Sequence, residues 1–145
     1  MALKSPPAAP ARAGYSGTPL AGKLGVKPAS CVFAAGAPEE FRRWLEPLPD
    51  GVRFVRQPDR ATDLAIVFAL RRSDLHKEVA RLRTALRPDA AVWTCWPKRA
   101  SKVATDITED TIRADALPLG FVDIKVCAVS DVWSGLKLVV RKELR

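Results

Sequence analysis

Between Trp96 and Asp106 an indole, three cations (Lys98, Arg99 and Lys102) and the hydrogen-bonding groups of Ser101, Thr105 and Asp106 crowd into one short stretch. A second indole with a neighbouring hydroxyl follows at Trp133-Ser134. Flat apolar walls beside fixed cations suit a small anionic or aromatic ligand, because the rings exclude water while ammonium and guanidinium groups supply charge. A plainer arrangement competes with this one, in which both indoles pack over the end of a sheet and the lysines are solvated in a loop. Trp44 and Trp93 read as core residues, since each falls where its element should turn its apolar side.

Other chemistries find less to work with. Cys31, Cys95 and Cys127 are odd in number, each lies in an apolar stretch, and none is at metal-ligand spacing, so they read as reduced core thiols. The single histidine, His76, rules out a histidine-rich metal centre; a Cys–His nucleophile would need the fold to carry His76 to Cys95 or Cys127. A surface histidine near the start of a helix is the simpler reading. No metal or catalytic residue is expected.

The formal net charge is +8 in 145 residues, and Lys4, Arg12, Lys23 and Lys27 contribute half of it in a stretch that contains no acid. Elsewhere basic and acidic residues are mixed and no nucleic-acid-binding motif is present, which leaves weak non-specific electrostatic contact with nucleic acid as the most that charge supports. The longest apolar run, Leu64 to Leu70, suits a buried strand and is too short to cross a bilayer. Ser5-Pro6-Pro7-Ala8-Ala9-Pro10 stands where a secretory signal would need a continuous apolar helix, so the chain is expected to be unexported and cytoplasmic, with no membrane contact.

The elements that must position these residues follow from periodicity. Residues 1–17, rich in Ala, Pro and Gly, have little to bury and are expected to form a flexible tail; residues 18–145 form a single α/β domain. Thr18 as cap, Pro19 in the first turn and Gly25 at the end predict a short helix, with Tyr15 folded over the open sheet edge. From Ala29 onward short apolar runs alternate with amphipathic stretches, the mark of βαβ construction. Strands are predicted at Cys31–Ala35, Val52–Val55, Leu64–Leu70, Ala91–Trp96, Phe121–Val129 and Leu136–Arg141. A helix carrying Phe41, Trp44 and Leu45 joins the first two strands. A longer one, capped at Ser73 with Leu75, Val79, Leu82 and Leu86 on one face, follows the third, and a helix capped at Thr108 precedes the fifth. The last two strands are joined through Ser130–Gly135 as a hairpin. The fold class is α/β: a three-layer Rossmann-like sheet of about six strands, mostly parallel with a final antiparallel strand.

This order of elements resembles the core of S-adenosylmethionine-dependent methyltransferases. Leu24-Gly25-Val26-Lys27-Pro28 resembles the usual lead-in to their first strand, Arg87-Pro88-Asp89-Ala90 the turn before a later strand, and Gly120-Phe121-Val122-Asp123 with Leu136-Lys137-Leu138-Val139 their closing antiparallel pair. A closer resemblance is to the uncharacterised bacterial family called domain of unknown function 3052. It runs from Tyr15-Ser16-Gly17-Thr18-Pro19-Leu20, through Trp96-Pro97-Lys98 and Ala104-Thr105-Asp106, to Val126-Cys127-Ala128-Val129 and Trp133-Ser134-Gly135-Leu136-Lys137-Leu138. That resemblance implies no particular reaction.

The methyltransferase resemblance implies a nucleoside cofactor site, which needs glycines after the first strand and an acid after the second. Here the first strand is followed by Ala34-Ala35-Gly36-Ala37-Pro38 and the second by Arg56-Gln57-Pro58, and one helix and one strand of full-length methyltransferases have no counterpart. The expectation is therefore a degenerate fold that binds a small ligand or serves as an accessory protein. A divergent methyltransferase and a basic nucleic-acid-associated protein are the alternatives, and S-adenosylmethionine the one cofactor to consider. Asp63, just before the third strand, falls at the amino end of the sheet and reads as a turn or capping residue. In an open α/β sheet ligands bind at the carboxyl edge. There Gly36, Trp96, Lys98, Ser101, Lys102, Thr105, Asp106, Trp133 and Ser134 are expected to meet as a ligand site, with Arg71-Arg72-Ser73 alongside. Oligomeric state is left open, although Val52–Val55 as an edge strand could pair with a second copy.

Overall fold

A computed structural model describes residues 18–145; the Ala/Pro-rich segment 1–17 and Tyr15 lie outside the described residues. Six strands form one sheet in the order β2-β1-β3-β4-β6-β5. They are β1 (Cys31–Ala35), β2 (Arg53–Val55), β3 (Leu64–Phe68), β4 (Ala91–Pro97), β5 (Phe121–Ala128) and β6 (Trp133–Val140). The first four run parallel, β6 is antiparallel to both its neighbours, and β5 therefore points the same way as β4. The final strand inserts between β4 and β5, which leaves β2 and β5 as the edges.

Side-chain alternation divides the core into two layers, because successive strand residues face opposite sides. Phe33, Ala65, Val67, Val92, Trp96, Leu136 and Leu138 face one side, where α3 (Arg72–Ala85) brings Leu75, Val79 and Leu82 and α4 (Glu109–Ala116) brings Ile112 and Ala116. Val32, Ile66, Phe68, Trp93 and Cys95 face the other side, against α1 (Leu20–Leu24) and α2 (Phe41–Trp44). Every residue of β3 is buried, as a central strand covered on both faces requires. Trp93 is fully buried and its Nε1 donates to the Leu24 carbonyl at 2.9 Å, which fastens α1 to the sheet. Trp44 is only half-buried and packs edge-on against Phe41.

Several element boundaries differ from the sequence reading. Pro19 occupies the α1 cap position and Thr18 makes no side-chain cap, whereas Gly25 ends the helix in the left-handed conformation as expected. Ser73 lies inside α3, whose cap position is Arg71; the Arg72 amide is instead satisfied by Asp106 from a distant loop. Thr108 caps α4 through a capping box with Thr111. β3 stops at Phe68, so Leu70 is exposed. β6 begins at Trp133, so Trp133 and Ser134 are strand residues and the hairpin turn is shorter than expected. Among the described residues no helix is long and apolar enough to cross a membrane.

Candidate functional site

The carboxyl edge of the sheet gathers the expected segments. Gly36 follows β1 and lies against the Phe68 carbonyl at the end of β3. The Ala69 amide donates to Cys95, the Lys98 amide donates to Val132 at 2.7 Å, and Trp96 is in register with Ser134. Gly36, Trp96, Lys98 and Ser134 thus share one end of the molecule.

The two indoles do not form facing walls. Trp96 pairs with Ser134 and Pro97 with Trp133, so Trp96 and Trp133 project from opposite faces of the sheet. Trp96 is only 7% exposed and belongs to the layer under α3 and α4. Trp133, half-buried, meets Phe68 edge-to-face with ring centroids 5.0 Å apart on the α1/α2 side. Both rings therefore do core packing.

Most polar side chains of the expected site hold the backbone. Thr105 Oγ1 donates to the Leu70 carbonyl at 2.6 Å and accepts from the Ile107 amide, while Asp106 accepts from the Arg72 amide at 2.6 Å. Together they latch the 98–106 loop onto the turn that starts α3, and Asp106 serves as a cap supplied from another segment. Ser101 Oγ donates to Lys98 O and accepts from the Val103 amide, closing a 3₁₀ turn at Arg99–Ser101. Lys102 ends that turn in the left-handed conformation. Gly36 has a φ of 68°, and a Cβ there would lie 2.4 Å from Phe68 O, so packing of β1 against β3 already demands glycine. Arg72 is engaged by Asp115 in a bidentate pair at 2.9 and 3.0 Å, which holds the Asp115 carboxyl below the usual carboxylate range. What remains is a set of cations: the side chains of Arg71, Lys98, Arg99 and Lys102 take part in none of the ion pairs or hydrogen bonds of the described residues.

A Cys–His nucleophile is not assembled. His76 lies on α3 with Nδ1 3.7 Å from Asp115, whereas Cys95 and Cys127 face the opposite layer. Burial pushes both the Cys95 and Cys127 thiols up, which disfavours thiolate. No cluster of metal-ligating side chains occurs among the described residues.

At the amino edge Asp63 behaves as a structural staple. Its Oδ2 accepts from the Cys31 amide at 2.7 Å and its Oδ1 from Arg87. The bond from Cys31, assisted by Arg87, holds its carboxyl below the usual range even though partial burial acts the other way. Arg87 also reaches the carbonyls of Arg60 and Thr62 and the carboxylate of Asp89. Beside this staple lies a cleft of about 330 Å³, lined among others by Leu24, Gly25, Lys27, Pro28, Arg87 and Lys137. Sequence reasoning had no place for it; the one signal was Lys137, a lysine amid the apolar residues of a closing strand.

Structural comparison defines the class of fold. The chain superimposes on a protein from Sulfolobus solfataricus provisionally described as a type 11 methyltransferase, with a TM-score of 0.60 at 12% identity over 85% of this chain and 90% of that one. It also matches a SAM dependent methyltransferase from Aquifex aeolicus, with a TM-score of 0.54 at 13% identity over 83% and 87% of the two chains. The PH0226 protein from Pyrococcus horikoshii OT3 gives a TM-score of 0.57 at 12% identity over 85% and 87%. The protein has a methyltransferase-like Rossmann fold. No family model matches the chain, and no curated protein is a detectable relative.

Proposed function

We propose that this chain is a non-catalytic binding or accessory protein built on a shortened methyltransferase-like fold, and that its carboxyl edge takes a small anionic ligand. The observation that carries the reading is the contrast within that edge. Thr105, Asp106, Ser101 and Gly36 are committed to the backbone, while the side chains of Arg71, Lys98, Arg99 and Lys102 have no counter-ion among the described residues. An anion could engage those cations without breaking an existing contact.

Against methyl transfer stand the two exits where a nucleoside cofactor would need its partners. The glycine after β1 is fixed by the Phe68 carbonyl, and β2 is followed by Arg56 and Gln57, with Gln57 accepting from Arg81. The helix after β1 is a single turn, Phe41–Trp44, too short to aim a set of free amides at a ligand. These residues do not fit S-adenosylmethionine. The fold likeness favours the divergent methyltransferase as the rival reading. We also read the chain as a cytoplasmic member of the bacterial family of domain of unknown function 3052, on the sequence runs quoted above.

Thermal shift separates the two readings, because a ligand bound only by the folded state raises the midpoint. S-adenosylmethionine and S-adenosylhomocysteine should leave the midpoint unchanged, whereas small polyanions should raise it in a way lost on replacing Lys98 and Lys102. A clear rise with either nucleoside would establish the rival. The Gly36 position cannot serve as the control, since any side chain there disturbs β3 directly.

A further inference from the structure

The cleft at the amino edge is the less expected of the two charged regions. It lies where the strands begin, under the end of α1, on the side of the sheet away from α3 and α4. Lys137 of β6 is in register with Trp93 on one side and Lys125 on the other. Its Nζ comes close to Gly25, where a Cβ would stand 3.8 Å away. The side chain is half-buried and makes no hydrogen bond or ion pair among the described residues. Burial, together with repulsion from Lys125 and Lys27, lowers its pKa.

The carboxylates nearby do not answer that charge. Asp63 is held by the Cys31 amide and by Arg87, and Asp89 by Arg87 at 2.8 Å. The Lys27 ammonium likewise has no partner among the described residues. Residues 1–17 contain neither Asp nor Glu, so that segment offers no side-chain carboxylate. Ala29, between Lys27 and β1, adopts a left-handed φ of 65° uncommon for a residue with a Cβ, and its amide is fixed by Asp50 O at 2.8 Å. A partly desolvated cation without a counter-ion is a cost to the folded state, and a bound anion removes it.

We propose that this cleft binds a small phosphomonoester, with the phosphoryl group between Lys27 and Lys137 and the organic part against the exposed Pro28 and Ala29. A volume of about 330 Å³ lies at the lower end of the range for small-molecule pockets. It matches a sugar phosphate better than a dinucleotide. The cleft is larger than a bare phosphate, and Pro28 and Ala29 beside Lys27 leave exposed apolar surface for an organic part. This site is separate from the carboxyl edge and does not depend on the function proposed there.

The test uses the full chain, with ribose 5-phosphate, inorganic phosphate, ribose and a short oligothymidylate as probes, read by amide chemical shifts and by affinity. Ribose 5-phosphate should move the amides of Gly25, Ala29, Ser30 and Lys137, bind more tightly than inorganic phosphate, and far exceed ribose. Lys137→Met, which keeps the stem and removes the charge, should weaken it at least tenfold. Lys27→Gln, on an exposed loop where folding is not at stake, should weaken it several-fold, while the Lys98→Gln/Lys102→Gln variant should bind as the parent does. Shifts spread over every lysine-rich surface, undiminished affinity in Lys137→Met, or a response to oligothymidylate but not to ribose 5-phosphate would each overturn the proposal.

Discussion

The two ends of the sheet use charge in opposite ways. At the carboxyl edge Thr105 and Asp106 tie one loop to the start of α3, and the cations stand outward around that closed knot. At the amino edge the acids are locked by Arg87, and Lys137, a cation without a partner among the described residues, lines a half-enclosed cleft. The end where an α/β fold ordinarily carries its ligand is thus braced here, and a cationic cleft lies at the other. A shared fold fixes where strands end; it does not fix which end keeps unsatisfied groups.

The largest change at the amino edge should come from Trp93→Ala. The ring is fully buried and its Nε1 holds the last carbonyl of α1, so truncation should cost about 3–5 kcal/mol in urea denaturation. α1 also supplies one wall of the cleft, so ribose 5-phosphate binding should fail even where the variant remains folded. Its counterpart at the carboxyl edge is Gly36→Ala, which adds a Cβ 2.4 Å from the Phe68 carbonyl at a left-handed φ. Strain and overpacking together should cost about 2–4 kcal/mol. An alanine variant of parental stability would show that this glycine is free of β3 and would return it to the role of a ligand contact.

Asp63 gives a smaller effect with a defined pH signature. Its folded-state pKa is depressed, chiefly by the Cys31 amide and then by Arg87, so its contribution to stability is complete above the ordinary carboxylate range and is lost as pH falls through the depressed value. Asp63→Asn should cost about 1 kcal/mol at neutral pH, because the carboxylate is partly open to water. It should also flatten the fall in stability below about pH 4, where Asp115, held by Arg72, leaves a residual slope. Chemical denaturation at a series of pH values measures both. An unchanged acid limb would mean that the staple between β1 and β3 does not need the charge.

Much of the fold was legible because it rests on local pattern. The continuous apolar run of β3, the helical spacing of Leu75, Val79 and Leu82, and the capping residue Thr108 each declare an element without reference to the rest of the chain. The insertion of β6 between β4 and β5 was not legible, since hairpin spacing is the same whichever strand it pairs with beyond. The candidate site was legible as a location and not as a set of roles. That Trp96 and Trp133 face opposite sides depends on the register of β4 with β6, and that Asp106 caps α3 depends on a contact across 34 positions of sequence. The place of Lys137 was hidden for the same reason, because Leu24 and Gly25, which line the cleft with it, lie far away in the chain.

The smallest expected effect on stability is the sharpest test of the contrast between the ends. The ammonium groups of Lys98 and Lys102 have no partner among the described residues, Lys102 is exposed, and the 98–102 turn is closed by its backbone and by Ser101 Oγ. Replacing both by Gln should shift stability by no more than about 0.5 kcal/mol, as for surface substitutions away from a structural contact. Screening limits what surface charges contribute to folding, but it does not prevent them from attracting an anion at low ionic strength. The double variant should therefore melt like the parent, lose binding of polyanions at the carboxyl edge, and retain ribose 5-phosphate at the amino edge. Loss of stability well beyond that value would mean that the lysines brace the loop and are not free to take an anion at the carboxyl edge.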